Sequence, residues 1–163
     1  MARHVITRMP VVVLFPHNQC NCRCMMCDIW RIRQTRQIET ADLLPHLESF
    51  RSLGTRWIAL SGGEALLHDD LRGFLELLRG EGMRITLLST GLLLKEKAEL
   101  VSELVDDVIV SLDGPRETHR CVARTDWPRT WTGSRWRWSS PPRVPPCSAR
   151  ARCASACTAG WLA

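Results

Sequence analysis

Cys20, Cys24 and Cys27 fall within eight residues, in the stretch Cys20-Asn21-Cys22-Arg23-Cys24-Met25-Met26-Cys27. Thiolates are the soft ligands that hold iron–sulfur clusters, and three on one short loop can grip three corners of a cubane. The fourth iron is then left for a substrate or cofactor to chelate, whereas four thiolates would make an electron-transfer centre. Two plainer readings stand beside this one. Structural zinc normally draws on two separated ligand pairs; no second close pair lies in the well-patterned part of the chain, although His17 or Cys22 could give a fourth ligand. The thiols could also be inert.

The elements that must carry such a loop follow from periodicity. Val11–Phe15 is a continuous β-branched and apolar run, expected as a strand buried on both faces of a parallel sheet. Thr40 is the expected N-cap of a helix to about Leu53, with Leu43, Leu44, Leu47 and Phe50 as its apolar stripe, Pro45 near the first turn and Gly54 closing it. Trp57–Leu60 reads as a second strand ending at Ser61-Gly62-Gly63-Glu64. Asp70 caps a helix bearing Leu71, Phe74, Leu75 and Leu78, ended by Gly80 and Gly82. Ile85–Leu88 is a third strand stopping at Ser89-Thr90-Gly91, Lys95–Val105 a third helix, and Asp107–Leu112 a fourth strand ending at Asp113-Gly114-Pro115.

Four strand–helix units in a row imply an α/β fold with parallel strands and right-handed crossovers, either a barrel or a doubly wound sheet. In both, function gathers at the carboxyl ends of the strands. Every Gly-rich or polar break named above lies there, so topology is expected to bring the Cys loop, Ser61–Glu64, Ser89–Gly91 and Ser111–Gly114 onto one rim.

Length and composition bound the rest. A chain of 163 residues supports one domain, small for a full barrel. No signal peptide is read at the N-terminus, and no apolar run approaches the roughly 18 residues of a membrane span. Eight cysteines without an export signal point to a reducing, cytoplasmic setting and to metal or redox chemistry. Residues 1–121 carry 15 Lys+Arg against 16 Asp+Glu; residues 122–163 carry seven Arg against one acid, Asp126. The formal charge of +5 thus belongs to the tail, and neither a nucleic-acid nor a membrane partner is expected.

The tail, residues 122–163, has another grammar. It holds five of the seven Trp and five of the nine Pro with no apolar periodicity. Arg, Trp, Pro, Ser, Ala and Cys are what G+C-rich codons yield out of register, so the tail reads as a frameshift product that cuts off the fourth helix near Arg120. A disordered basic tail is the other reading. The spacing of Cys121, Cys147, Cys153 and Cys157 assigns none of them a role.

Residues 11–119 resemble the radical S-adenosylmethionine (SAM) superfamily. The likeness rests on Cys20-x3-Cys24-x2-Cys27 after the first strand, Gly62-Gly63-Glu64 after the second, Ser89-Thr90-Gly91 after the third and Val110-Ser111-Leu112-Asp113-Gly114-Pro115 after the fourth. The resemblance implies a partial (β/α)6 barrel, of which about four units are present, holding a [4Fe–4S] cluster on Cys20, Cys24 and Cys27. It also implies SAM on the open iron, cleaved by an electron from the cluster to a 5′-deoxyadenosyl radical that abstracts hydrogen from substrate.

The residues carried over are cofactor-binding, and none is assigned as catalytic. The backbone of Met26 would touch the adenine, where relatives often carry an aromatic. Gly62 and Gly63 would let the backbone approach the ligand, and Glu64 would accept from the SAM ammonium, with Ala65 where relatives carry Pro. Thr90, beside Ser89, would line the pocket, with Leu92 replacing the usual Asn. Ser111 and Asp113 would contact SAM, although Asp113 could equally be a turn residue. His119 matches a recurring His, while Arg120 stands where Asp usually follows. Cys22 is expected to point away from the cluster, with Met25 and Met26 packing around it. A flavodoxin- or ferredoxin-type reductant and an unknown small-molecule or peptide substrate are implied. The alternatives are an inactive remnant or a small iron–sulfur or zinc sensor.

Overall fold

In the computed structural model, residues 5–123 are described. Four strands form one parallel sheet in the order β1-β2-β3-β4: β1 is Val11–His17, β2 Trp57–Gly62, β3 Arg84–Ser89 and β4 Asp107–Val110. The helices between them are α1 (Thr40–Ser52), α2 (Leu71–Gly80) and α3 (Ala98–Leu104), with α4 (Arg116–Ala123) following β4. Strand neighbours that are also chain neighbours mark a singly wound α/β sheet; a doubly wound sheet would break that order at a switch point.

One face of the sheet carries the core. Ile58 and Leu60 of β2 and Ile85 and Leu87 of β3 are buried against Leu43, Leu47 and Phe50 of α1, Leu71, Phe74, Leu75 and Leu78 of α2, and Val101 and Leu104 of α3. Full burial of such side chains stabilises by about 1.5–3 kcal/mol each. The opposite face is open. Val11, Val13 and Phe15 of β1 are 46%, 58% and 59% exposed, and Trp57 and Ile109 also face solvent. The expectation that β1 is buried on both faces is therefore corrected: Val12 and Leu14 pack on the core, and their alternate neighbours meet no covering element among the described residues.

Other differences are local. The N-cap of α1 is Glu39, whose N–H donates to Asp42 Oδ2 at 2.9 Å, and Thr40 is the first helical residue, its hydroxyl 3.3 Å from Asp70 Oδ2. Pro45 lies in the second turn of the helix, and Leu44, about 100° around the axis from Leu43, faces out at 55% exposed. α3 begins three residues later than the pattern suggested, because Gly91–Lys97 forms turns and Lys97 supplies no side-chain cap. The fourth helix runs past Arg120 to Ala123; the rest of the expected tail lies outside the described residues, as do Cys147, Cys153 and Cys157. Among the described residues, no helix is long and apolar enough to cross a membrane.

Candidate functional site

The cysteine loop leaves the carboxyl end of β1 and is pinned on three sides. At its start, Glu64 N–H donates to Gln19 O at 2.7 Å and Gly63 N–H to His17 O at 3.2 Å. Gly63 is required for this: a Cβ there would lie 2.0 Å from Gln19 O. Gly62, at φ +97°, turns the chain where a side chain would press on Phe15 Cβ at 2.9 Å. The glycines expected to admit a ligand thus admit neighbouring protein, and at Gly63 it is the backbone of the cysteine loop itself. Along its middle, Arg23 N–H and Met25 N–H donate to Ala123 O and Val122 O at the end of α4. Beyond it, Asn18 Nδ2 donates to Gln34 O, and Trp30 Nε1 to Cys24 O at 3.2 Å.

Glu64 is the hub of the rim. It is fully buried, and its carboxylate accepts from Leu66 N–H (3.2 Å), from Ser89 Oγ (3.0 and 3.1 Å), and from Thr90 N–H (2.7 Å) and Oγ1 (2.6 Å). Thr90 Oγ1 also lies 3.0 Å from Asn21 Oδ1, between Cys20 and Cys22. A hydroxyl has one proton, and the shorter contact to Glu64 claims it. Asn21 then meets Thr90 as a donor through its amide in the flipped orientation, which also gives a partner to its buried Nδ2, unpaired among the described residues. A chain of hydrogen bonds thereby runs from the cysteine loop through β3 to β2.

The remaining candidates share the rim. Ser111 is exposed, its N–H on Ser89 O at 3.0 Å. Asp113 Oδ2 lies 3.1 Å from Nδ1 of the buried His119, so this carboxylate ties the turn after β4 to α4, and it is close enough to Cys24 to disfavour the thiolate there. Met25 and Met26 are exposed, Met26 to 66%, and do not close the loop against protein. Cys22 is buried, and of the four free thiols on the loop it is the one hidden from solvent. The sequence reading missed Asn21; its place beside Cys20 was the available signal, but its partner lies 69 residues away.

The thiols differ electrostatically. A hydrogen bond from the Cys22 side chain outweighs burial and lowers the Cys20 thiol to about 7, while that same bond and burial push Cys22 up. Burial, then Asp113, raises Cys24. Since the thiolate is the reactive species, Cys22→Ala is expected to raise the pH midpoint of Cys20 alkylation in cluster-free protein by about one unit or more. An unchanged iodoacetamide profile would remove that hydrogen bond as the cause.

The donor set fits a cubane cluster. Three half-exposed free thiols sit on one loop held from outside by backbone bonds. Among the described residues, no three His, Cys, Asp or Glu side chains converge as a single metal ion would require. A cluster differs in having its ligated corners apart.

Comparison with known proteins agrees with this geometry. The chain is 33% identical over 113 residues to a protein of Methanothermobacter thermautotrophicus named "Probable GTP 3′,8-cyclase", covering 67% of this chain and 37% of that one. A protein of the same name from Methanothermobacter marburgensis is 31% identical over the same shares. The chain thus spans little more than a third of these relatives. In fold it is similar to Streptococcus suis SuiB bound to S-adenosylmethionine (TM-score 0.62, 16% identity, 71% of this chain and 28% of that one). It is also similar to BtrN in complex with AdoMet and 2-DOIA (TM-score 0.54, 21% identity, 62% and 44%). The family profile described as the Radical SAM superfamily matches residues 14–133, well over half the chain. With that match running from β1 through every strand end of the rim, the chain belongs to the radical SAM superfamily.

Proposed function

We propose that this chain binds a [4Fe–4S] cluster through Cys20, Cys24 and Cys27, binds SAM across the rim, and serves the reductive cleavage of SAM. The observation that carries the reading is the bonding of the cysteine loop to the ends of β2 and β3, through Gln19 O on Glu64 N–H and Asn21 on Thr90. That bonding sets the cysteine loop beside a buried acid, which supports the reading. When bound, the cluster supplies the electron that splits the sulfonium C–S bond to a 5′-deoxyadenosyl radical.

The protein's own part is positioning. Gly63 lets the loop seat, and Asn21 and Thr90 hold it in register with Glu64. A ligand ammonium reaching Glu64 must compete with Thr90 Oγ1 for the same oxygen. Ser111 and the backbone of Met26 offer further polar contacts at the rim, while Asp113 is spent on His119 and acts on SAM through the orientation of α4. The relatives' printed name makes GTP the first substrate to test, and the exposed face of the sheet, lined by Val13, Phe15 and Ile109, is where the reading places substrate. A flavodoxin- or ferredoxin-type donor and a reducing cytoplasmic compartment complete it.

The test is anaerobic reconstitution with iron, sulfide and SAM, reduced with dithionite. The expected result is about four iron per chain and 5′-deoxyadenosine, both lost in Cys24→Ala. A stable cluster with no SAM cleavage supports the sensor instead, and stoichiometric zinc in anaerobically purified protein overturns the proposal.

A further inference from the structure

Cys22 is a thiol that the proposed function leaves unused. It is 3% exposed in the middle of the cysteine loop, while Cys20, Cys24 and Cys27 are half-exposed. Its partner is Cys20. The Cys22 thiol hydrogen-bonds the Cys20 sulfur, and Cys22 N–H donates to that same sulfur at 3.4 Å. Among the described residues, no hydrogen bond joins Cys20 to Cys24 or Cys27.

Two cysteines can be bridged when their Cα atoms lie within about 7 Å. Residues two apart meet that limit wherever the chain bends between them, and Cys22 N–H reaching back to Cys20 Sγ marks such a bend. The bend is held from both sides. Gln19 O accepts from Glu64 N–H before it, Arg23 N–H donates to Ala123 O after it, and Asn21 at its centre meets Thr90. A bond between the two sulfurs closes inside those supports.

We propose that Cys22 is the resolving thiol of Cys20, closing a reversible Cys20–Cys22 disulfide when the cluster-free chain meets a peroxide. Exposure sets the order of events, since accessible thiols oxidise and a resolving thiol waits beside them. At the half-exposed Cys20 the sulfur takes one peroxide oxygen as the O–O bond breaks, giving a sulfenic acid and water. The Cys22 sulfur then displaces the hydroxyl. The S–O bond breaks as the S–S bond forms, and the hydroxyl leaves as water with the Cys22 proton. Over both steps the two thiols lose two electrons and the peroxide gains them. A sulfenic acid with no resolving thiol goes on to sulfinic acid, which thiol reductants do not reverse. Exposed disulfides are the labile ones, and one end of this bridge is half-exposed, so Cys20 stays recoverable. While the bond stands, Cys20 cannot ligate a metal; that consequence rests on the cluster reading above, whereas the disulfide itself does not.

The test uses the full chain purified without a cluster, freed of thiol reductant and given hydrogen peroxide. Remaining thiols are alkylated in denaturant, and the protein is cut with trypsin. Cleavage after Arg8 and Arg23 leaves Cys20 and Cys22 together in Met9–Arg23, with Cys24 and Cys27 in Cys24–Arg31. The expected main product is Met9–Arg23 unalkylated and lighter by two hydrogens, regaining both alkylations after dithiothreitol. Cys22→Ser should lose this product and carry roughly fivefold or more sulfinic acid on Cys20, which dithiothreitol leaves in place. Three results would overturn the proposal: Met9–Arg23 joined mainly to another peptide, Met9–Arg23 still doubly alkylated, or equal sulfinic acid in the parent and the variant. The parent's own peptide decides the matter even where Cys22→Ser fails to fold. Failure of the parent to load iron overturns the cluster reading and leaves the disulfide standing.

Discussion

Gly63→Ala is expected to release the cysteine loop while the sheet stays folded. The new methyl would sit 2.0 Å from Gln19 O and 2.7 Å from Gln19 C, and neither is the end of a flexible side chain. The backbone must retreat by roughly 1 Å in a close-packed setting, and it takes with it the 2.7 Å bond from Glu64 N–H. Stranding that amide and displacing the loop together cost about 2–4 kcal/mol. Core residues Ile58, Leu60, Ile85 and Leu87 pack on the helix-covered face of the sheet and are expected to keep their contacts. Bound iron after anaerobic reconstitution should therefore fall about tenfold or more, with far-ultraviolet circular dichroism close to the parent's. Full iron loading in this variant would show that the loop does not need its seat on β2.

Glu64 carries the larger stability effect. Glu64→Leu is expected to destabilise the fold by about 3–5 kcal/mol, because two backbone amides and two hydroxyls lose their acceptor at a fully buried position. For a domain whose stability is typically about 5–15 kcal/mol, that is a substantial share. Glu64→Gln keeps the shape but turns an amide donor toward Thr90 or Ser89, and it should cost about 1–3 kcal/mol. The mechanism predicts non-additivity: Ser89→Ala should cost less in the Glu64→Leu background than in the parent, since there it removes a stranded hydroxyl, while in both it frees the Gly91 N–H that donates to Ser89 Oγ at 3.0 Å. Urea midpoints of the singles and the double decide it. Simple additivity would show that Ser89 and Glu64 do not share one network.

Much of this architecture was legible in the chain. The α2 stripe of Leu71, Phe74, Leu75 and Leu78 is buried as its spacing requires, and Asp70 caps that helix through Gly73 N–H at 3.1 Å. The breaks at Ser61–Glu64, Ser89–Gly91 and Ser111–Gly114 all fall at strand carboxyl ends. Periodicity works there because burial on one face is a local property of a helix or strand. It misled at β1, where Val11, Val13 and Phe15 are as apolar as a doubly buried strand but face outward. Whether anything covers a face depends on other elements, which no run of five residues encodes. It also placed Leu44 in the stripe of α1, although Leu44 lies about 100° around the helix from Leu43, beyond the face that Leu43, Leu47 and Phe50 bury.

By itself, the sequence determined the candidate thiols, their loop and the strand ends that share one rim, because thiol spacing and strand–helix alternation are written along the chain. Tertiary structure alone decided what those groups do to one another. Glu64 is the acceptor for groups on β3 because the parallel register of β2 and β3 sets their ends side by side. Gly63 is needed because Gln19 folds back onto it, and Arg23, Arg31 and Arg33 line one cleft because the chain after β1 closes on itself. Each is a contact between residues far apart in sequence, and hydrogen bonds and electrostatic fields act over ångströms in space, whatever the distance along the chain.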